Sequence, residues 1–216
     1  MIVLNCQQGT TEWATARLGI PTASCFDRII TPKTLKLSGQ VDGYAHQLIA
    51  EQLLGVPLDN ATSGFMTRGT LLEERAVSYY ELQKETDTEA VGFVLRDDKR
   101  AGCSPDRFVG ANGLLEIKVP AANTHVGYLL DAAGIGYKAQ VQGQLWICER
   151  EWIDTLSWNP ELPPALVRQP RDEEFIKALS AAVVQFTDYV DELKLKLQKQ
   201  YGLFPAFQTP FLRVVA

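Results

Sequence analysis

Asp106, Glu116 and Lys118 crowd into the stretch "SPDRFVGANGLLEIKVP", and two of them interrupt what is otherwise an apolar strand pattern. Residues two apart on a strand share a face, so Glu116 and Lys118 point one way while Leu115, Ile117 and Val119 point the other. Asp106 follows Pro105, and the short turn "VGANGL" lets its segment pair back so that Asp106 comes beside Glu116. Two carboxylates brought together repel unless a proton or a metal ion neutralises them. A hard cation such as Mg²⁺ is held by one or two carboxylates together with waters and substrate phosphates. A lysine beside it orients or helps deprotonate a metal-bound water, or stabilises charge developing on a phosphate. The plainer reading of Glu116 and Lys118 is a half-exposed strand with an ion pair on its solvent face.

A third carboxylate sharpens the pattern. On a helix starting near Gly69, Leu72, Ala76, Val77, Tyr79 and Tyr80 form an apolar arc with Glu73 in its middle. A carboxylate there requires a metal or a cation, for which Arg68, Arg75 and Lys118 are available. Gln140 and Gln144 stand at i and i+4 of a further helix; glutamine in a helix is most often simply solvated.

These residues need elements to position them. The pattern predicts a short helix over 24–30 and a polar, basic loop carrying Lys33 and Lys36. A helix capped by Asp42 runs to about Leu54, and another spans 69–84. Residues 88–95 and 114–119 are β-rich, with Pro120 ending the latter. A helix over 137–148, a strand over 152–158 and a long amphipathic helix over about 172–200 complete the pass. The expected fold is α/β (α+β), a central mixed sheet flanked by helices.

The 216 residues, 46% of them apolar, suffice for one domain with a substantial core, and no Gly/Ser linker divides them, so 1–216 reads as a single domain. No apolar run has the length of a membrane span, and the N-terminus lacks the features of a signal peptide, so the expected location is the cytosol. The four cysteines read as reduced thiols. A net charge of −5 argues against coating nucleic acid non-specifically but leaves room for a local basic groove. His46 and His125 carry no pattern.

Pro-Asp, nine residues, then Glu-Ile-Lys matches the PD-(D/E)XK nuclease signature, and the likeness extends over most of the chain. "WATARLGIPTASCFDRII", "GYAHQLIAEQLLG", "RGTLLEERAV", "AGCSPD…GLLEIKVP" and "YKAQVQGQLWIC" resemble, in order, five blocks of the phage-lambda recombination exonucleases. The segment beyond Trp158 matches only weakly.

The resemblance implies a Mg²⁺-dependent, processive 5′→3′ exonuclease that digests one strand of linear duplex DNA and leaves 3′ overhangs. It implies Asp106, Glu116 and the Ile117 carbonyl as metal ligands, Lys118 as the catalytic lysine, and Glu73 and Gln140 as supporting active-site residues. Two ions would share Asp106, with Mn²⁺ as a substitute, and a metal-activated water would attack in line. Arg17, Thr22 and Ser24 match the family's 5′-phosphate pocket; without the family they read as a capped helix start and a surface arginine. Arg28, Lys33 and Lys36 are candidates for the basic lining of a trimeric ring, and Phe65 and Met66 for an apolar wedge at the terminal base pair. A single-strand annealing protein is the implied partner. The apolar tail, about 202–216, closes its own core or packs on a neighbour. The rival readings are an endonuclease of the same superfamily and a non-catalytic DNA-binding scaffold on a decayed nuclease fold.

Overall fold

The computed structural model describes residues 1–58, 63–131 and 137–204, the side chains of 63–71 excepted. In chain order the elements are β1 (Ile2–Leu4), α1 (Thr11–Ala16), a 3-10 helix (Ala23–Arg28), β2 (Ile30–Thr31), β3 (Lys36–Leu37), α2 (Val41–Leu54) and α3 (Ser63–Lys84). They continue with β4 (Thr88–Ala90), β5 (Phe93–Leu95), β6 (Gly102–Cys103), β7 (Arg107–Val109), β8 (Gly113–Lys118) and α4 (Ala122–Leu130). The last are α5 (Lys138–Cys148), β9 (Trp152–Ser157), β10 (Ala165–Pro170) and α6 (Glu173–Tyr201).

The central sheet has the order β10-β9-β8-β7-β4, with β8 and β9 parallel and the other neighbours antiparallel, so it is mixed and flanked by helices. Strand β8 is buried from Gly113 to Ile117 because both its faces are covered. Leu114 joins the main core formed with α2, α5 and α6. Leu115 and Ile117 pack on the other side, with Ala76, Val77 and Tyr80 of α3 and Leu156 of β9. The amphipathic α6 supplies Phe175, Leu179, Val183, Phe186 and Val190 to the main core, and the Asp172 side chain caps it by accepting the Phe175 N–H. Among the described residues no helix is long and apolar enough to cross a membrane.

Several local expectations change. Residues 88–95 divide at Gly92 into β4 and β5, which belong to different sheets. At that point the chain passes so close to Cys6 that a Cβ at Gly92 would lie 2.1 Å from its carbonyl oxygen. Lys33 and Lys36 lie on the β2–β3 hairpin rather than in an irregular loop. Helix α2 starts at Val41 with no side-chain cap; Asp42 sits in its first turn and accepts instead from the Tyr189 hydroxyl at 2.9 Å. The predicted helix over 24–30 is a 3-10 helix, and α3 begins at Ser63, before Gly69. The side chains of Phe65, Met66 and Arg68, and the tail from residue 205, lie outside the described residues.

Candidate functional site

The antiparallel register of β7 and β8 pairs Arg107 with Leu115, so its continuation sets Asp106 directly opposite Glu116 and Pro105 opposite Ile117. Directly opposed residues share a face, and the two carboxylates meet as the hairpin spacing requires. Asp106 accepts a hydrogen bond from the Ile117 N–H. The Ile117 carbonyl, on the same strand edge, receives no N–H from Pro105, which has none to give.

Glu116 is 4% exposed and held from three directions. Its Oε1 accepts from Lys118 Nζ at 2.6 Å and from Gln140 Nε2 at 2.7 Å, and its Oε2 accepts from Gln144 Nε2 at 2.7 Å. Lys118 also donates to Gln140 Oε1 at 3.2 Å. The two glutamines descend from α5, one turn apart, onto the same carboxylate. Gln144 was not among the candidate residues; the i, i+4 spacing with Gln140 was its signal, discounted because helical glutamines are usually solvated. Here it is 1% exposed, and its Oε1 has no hydrogen-bond partner among the described residues.

The electrostatics are those of an acid excess. Burial pushes the Asp106 carboxyl well above the ordinary carboxylate range, and the charges of Glu116 and Glu73 push it further. Glu73 is half-buried rather than enclosed in its apolar arc, whose buried members are Ala76, Val77 and Tyr80. Desolvation raises its carboxyl and Glu116 raises it further, while Arg107 pulls the other way. Among the described residues Arg107 is thus the cation felt by Glu73, rather than Arg75 or Lys118; the Arg68 side chain lies outside them. Burial works against the Lys118 charge, but Glu116 and then Asp106 outweigh it and hold the ammonium above its ordinary value.

The donor set suits a hard divalent cation. Asp106 and Glu116 offer carboxylate oxygens, whose mutual repulsion such an ion relieves. Among the described residues no group of three or more histidine, cysteine or acidic side chains forms a closed cage. Mg²⁺, which retains waters and takes phosphate oxygens, requires no more protein ligands than this.

The segment carrying Arg17, Thr22 and Ser24 is tied to the strand that leads into Asp106. Thr22 bridges to Gly102, and Trp13 Nε1 donates to Ser104 Oγ at 2.8 Å. Gln8 Nε2 donates to the carbonyls of Val91 and Pro105, at 2.8 and 3.0 Å. The Thr22 and Ser24 hydroxyls lie 3.2 Å apart, and the Arg17 guanidinium stacks on Trp13 at 3.9 Å. The 3-10 helix packs on α5 where Gly143 permits it, since a Cβ there would stand 2.5 Å from the Phe26 ring. One helix therefore meets Glu116 through its glutamines and the Thr22–Ser24 segment through its glycine. Arg28 is drawn into its own fold, over the Tyr44 ring at 4.5 Å and donating to Gln47 Oε1 at 2.7 Å, whereas Lys33 and Lys36 are exposed.

Comparison with known proteins gives the family and structures of like fold. A family model described as a YqaJ-like viral recombinase domain matches residues 12–151. No curated protein matches the chain. The crystal structure of LHK-Exo in complex with dAMP is similar with a TM-score of 0.78 and 29% identity, over 89% of this chain and 98% of that one. A structure of LHK-Exo described as an alkaline exonuclease from Laribacter hongkongensis gives 0.71 and 30% identity, over 88% and 99%. A phage-related exonuclease from Haemophilus somnus 129PT shares the fold with a TM-score of 0.60 at 16% identity, over 91% of this chain and 97% of that one.

Proposed function

The chain belongs to the family of YqaJ-like viral recombinase domains, a nuclease family of recombination, and from that premise we propose that it is a single nuclease domain digesting the 5′-ended strand of linear duplex DNA. The products are 3′ single-stranded overhangs for annealing-type recombination. The observation that carries the reading is the opposition of Asp106 and Glu116 across the hairpin, with Lys118 bonded to Glu116. LHK-Exo, an alkaline exonuclease similar over nearly its whole length, was crystallised with a nucleoside 5′-monophosphate, the kind of product this reaction releases.

Nucleases of this kind generally use divalent metal ions, and here we assign Asp106, Glu116 and the Ile117 carbonyl as the groups that hold Mg²⁺. The ion supplies Lewis acidity toward phosphate oxygens and lowers the pKa of an adjacent water. Gln140 and Gln144 fix the orientation of Glu116, the role that outer-shell partners play for metal-binding carboxylates. Lys118, as an ammonium, offsets negative charge developing on the scissile phosphate. Glu73 reaches the centre from α3 as a further acidic neighbour of Glu116. Arg17, Thr22 and Ser24 take the terminal 5′-phosphate, a guanidinium fork aided by two hydroxyls.

We extend the reading to a ring of three copies around the duplex, handing its 3′ overhang to an annealing protein. The acidic net charge is compatible with this, because a ring needs basic side chains only along its channel, for which the exposed Lys33 and Lys36 are the candidates.

The test is digestion of linear duplexes labelled at either the 5′ or the 3′ end, with and without 5′-phosphate, in Mg²⁺ or EDTA. Early release of the 5′ label as mononucleotide, dependence on the cation and resistance of closed circles support the proposal. Intact linear DNA, or cleavage of closed circles, contradicts it.

A further inference from the structure

Beside Lys118 of the carboxylate centre stand two tyrosines that the hydrolytic reading does not use. The Tyr137 ring lies 5.2 Å from Lys118 Nζ, with the cation over its face, yet the residue is 56% exposed. Tyr128, on α4, reaches its hydroxyl to within 3.4 Å of the Tyr137 hydroxyl. The hydroxyls therefore meet each other rather than a carboxylate, and the rings are left as surface.

Helix α4, which carries Tyr128, is held in place by a buried group that the hydrolytic reading does not use. His125, fully buried, pairs through Nδ1 with Ser157 Oγ at 2.7 Å and through Nε2 with the Pro163 carbonyl at 2.9 Å. Since a carbonyl only accepts, Nε2 carries the proton and Nδ1 accepts from the serine hydroxyl. Ser157 is the β9 residue in register with Lys118. Helix α4 is thus pinned, through His125, to the residue beside Lys118, and Tyr128 follows three positions later on the same helix side. An aromatic shelf built by this much buried structure, next to a cation, fits a planar π-face arriving with a phosphate.

We propose that Tyr137, supported by Tyr128, is a stacking shelf for the nucleobase of the nucleotide whose phosphate faces Lys118. The inference rests on the nuclease reading of that site and adds a ligand subsite to it. Lys118 occupies one side of the ring, and the base would stack on the side left open to solvent. Every base has a π-face, so such a shelf holds any sequence, as aromatic platforms in single-strand-binding grooves do.

The test uses a 5′-phosphorylated duplex with 2-aminopurine at the 5′-terminal nucleotide, with Ca²⁺ in place of Mg²⁺ to slow hydrolysis, alongside steady-state digestion in Mg²⁺. Wild-type protein is expected to quench the fluorophore by stacking. Tyr137→Ala loses that quenching and raises KM roughly 5- to 150-fold, the range for one stacked base, with the loss falling on KM more than on kcat. Tyr137→Phe retains the quenching, since the ring and not the hydroxyl does the stacking, and Tyr128→Ala weakens it. If wild type digests the duplex while Tyr137→Ala matches it in quenching and KM, the shelf is refuted and the nuclease reading stands. If wild type neither binds nor digests, the nuclease reading fails and the shelf fails with it.

Discussion

Two charged clusters sit on neighbouring strands of one sheet and are built to opposite ends. On β9, Asp154 is 1% exposed and accepts the Arg168 fork, Nε to Oδ1 and Nη2 to Oδ2 at 2.8 Å each, plus the Tyr80 hydroxyl at 2.7 Å. Arg168 in turn stacks on Trp152 at 3.6 Å. Each group has its counterpart, and the cluster is closed. One strand over, three carboxylates, Asp106, Glu116 and the half-buried Glu73, are set among the described residues against Lys118 at Glu116 and Arg107 acting on Glu73, and the Asp106 carboxyl is still pushed well above its ordinary range by burial and by its acidic neighbours. Both clusters break the apolar pattern of a buried strand, so the presence of buried charge does not distinguish structure from function. The balance of charge does. A saturated cluster holds the sheet and the α3 layer together, whereas an unsaturated one has capacity for a cation and a phosphate.

That contrast can be broken from either side. The largest effect is expected at the unsaturated site: Asp106→Ala or Lys118→Ala lowers digestion of linear duplex by at least about 10³-fold, measured as mononucleotide release. Residual activity within about ten-fold of wild type would remove the site from the chemistry. Next, Asp154→Ala leaves Arg168 and the buried Tyr80 hydroxyl without their acceptor. It lowers stability by roughly 2–3 kcal/mol, the figure for a broken buried pair reduced because Arg168 is half exposed, or a Tm loss of about 5–10 °C. An unchanged Tm would show that the closed cluster is not structural. Gln144→Ala strips one donor from Glu116 and reduces activity about ten-fold; a variant as active as wild type would assign the clamp to Gln140 and Lys118 alone.

The smallest effect carries the opposite sign. A carboxyl whose pKa is raised by folding binds its proton more tightly in the folded chain, so the metal-free protein gains stability as pH falls toward the ordinary carboxylate value and loses it as pH rises. Asp106→Asn removes that penalty. It raises the metal-free Tm by a few degrees at pH 8, on the order of 1 kcal/mol, and the gap to wild type narrows as pH is lowered toward 5. A gap that widens would give the Asp106 shift the wrong direction.

The unsaturated cluster was the more legible of the two in the sequence. Asp106, Glu116 and Lys118 lie on one hairpin, so local spacing and strand alternation suffice to place them together, and the five matching blocks supply their context. Gln140 was legible by the same resemblance, while the burial of Gln144 was not, because it depends on α5 packing closely against Phe26 through Gly143. The closed cluster was invisible: Tyr80, Asp154 and Arg168 come from three elements, and β10, in the proline-rich stretch after Trp158, gave no strand signal. Glu73 was placed correctly on its helix but assigned too much burial, because a helical wheel records which way a residue points and not how deep its neighbours reach. The break at Gly92 coincides with a close approach of the Cys6 backbone, from the segment after β1, which no local pattern contains.

The most direct measurement is the Tm at pH 8 with and without Mg²⁺ for wild type, Asp106→Asn and Asp154→Ala. Binding to the folded state alone raises Tm, so Mg²⁺ is predicted to stabilise wild type and Asp154→Ala by similar increments and to leave Asp106→Asn where it was. Equal stabilisation of all three, or none in wild type, would contradict the assignment of the β7–β8 carboxylates as the cation-binding centre.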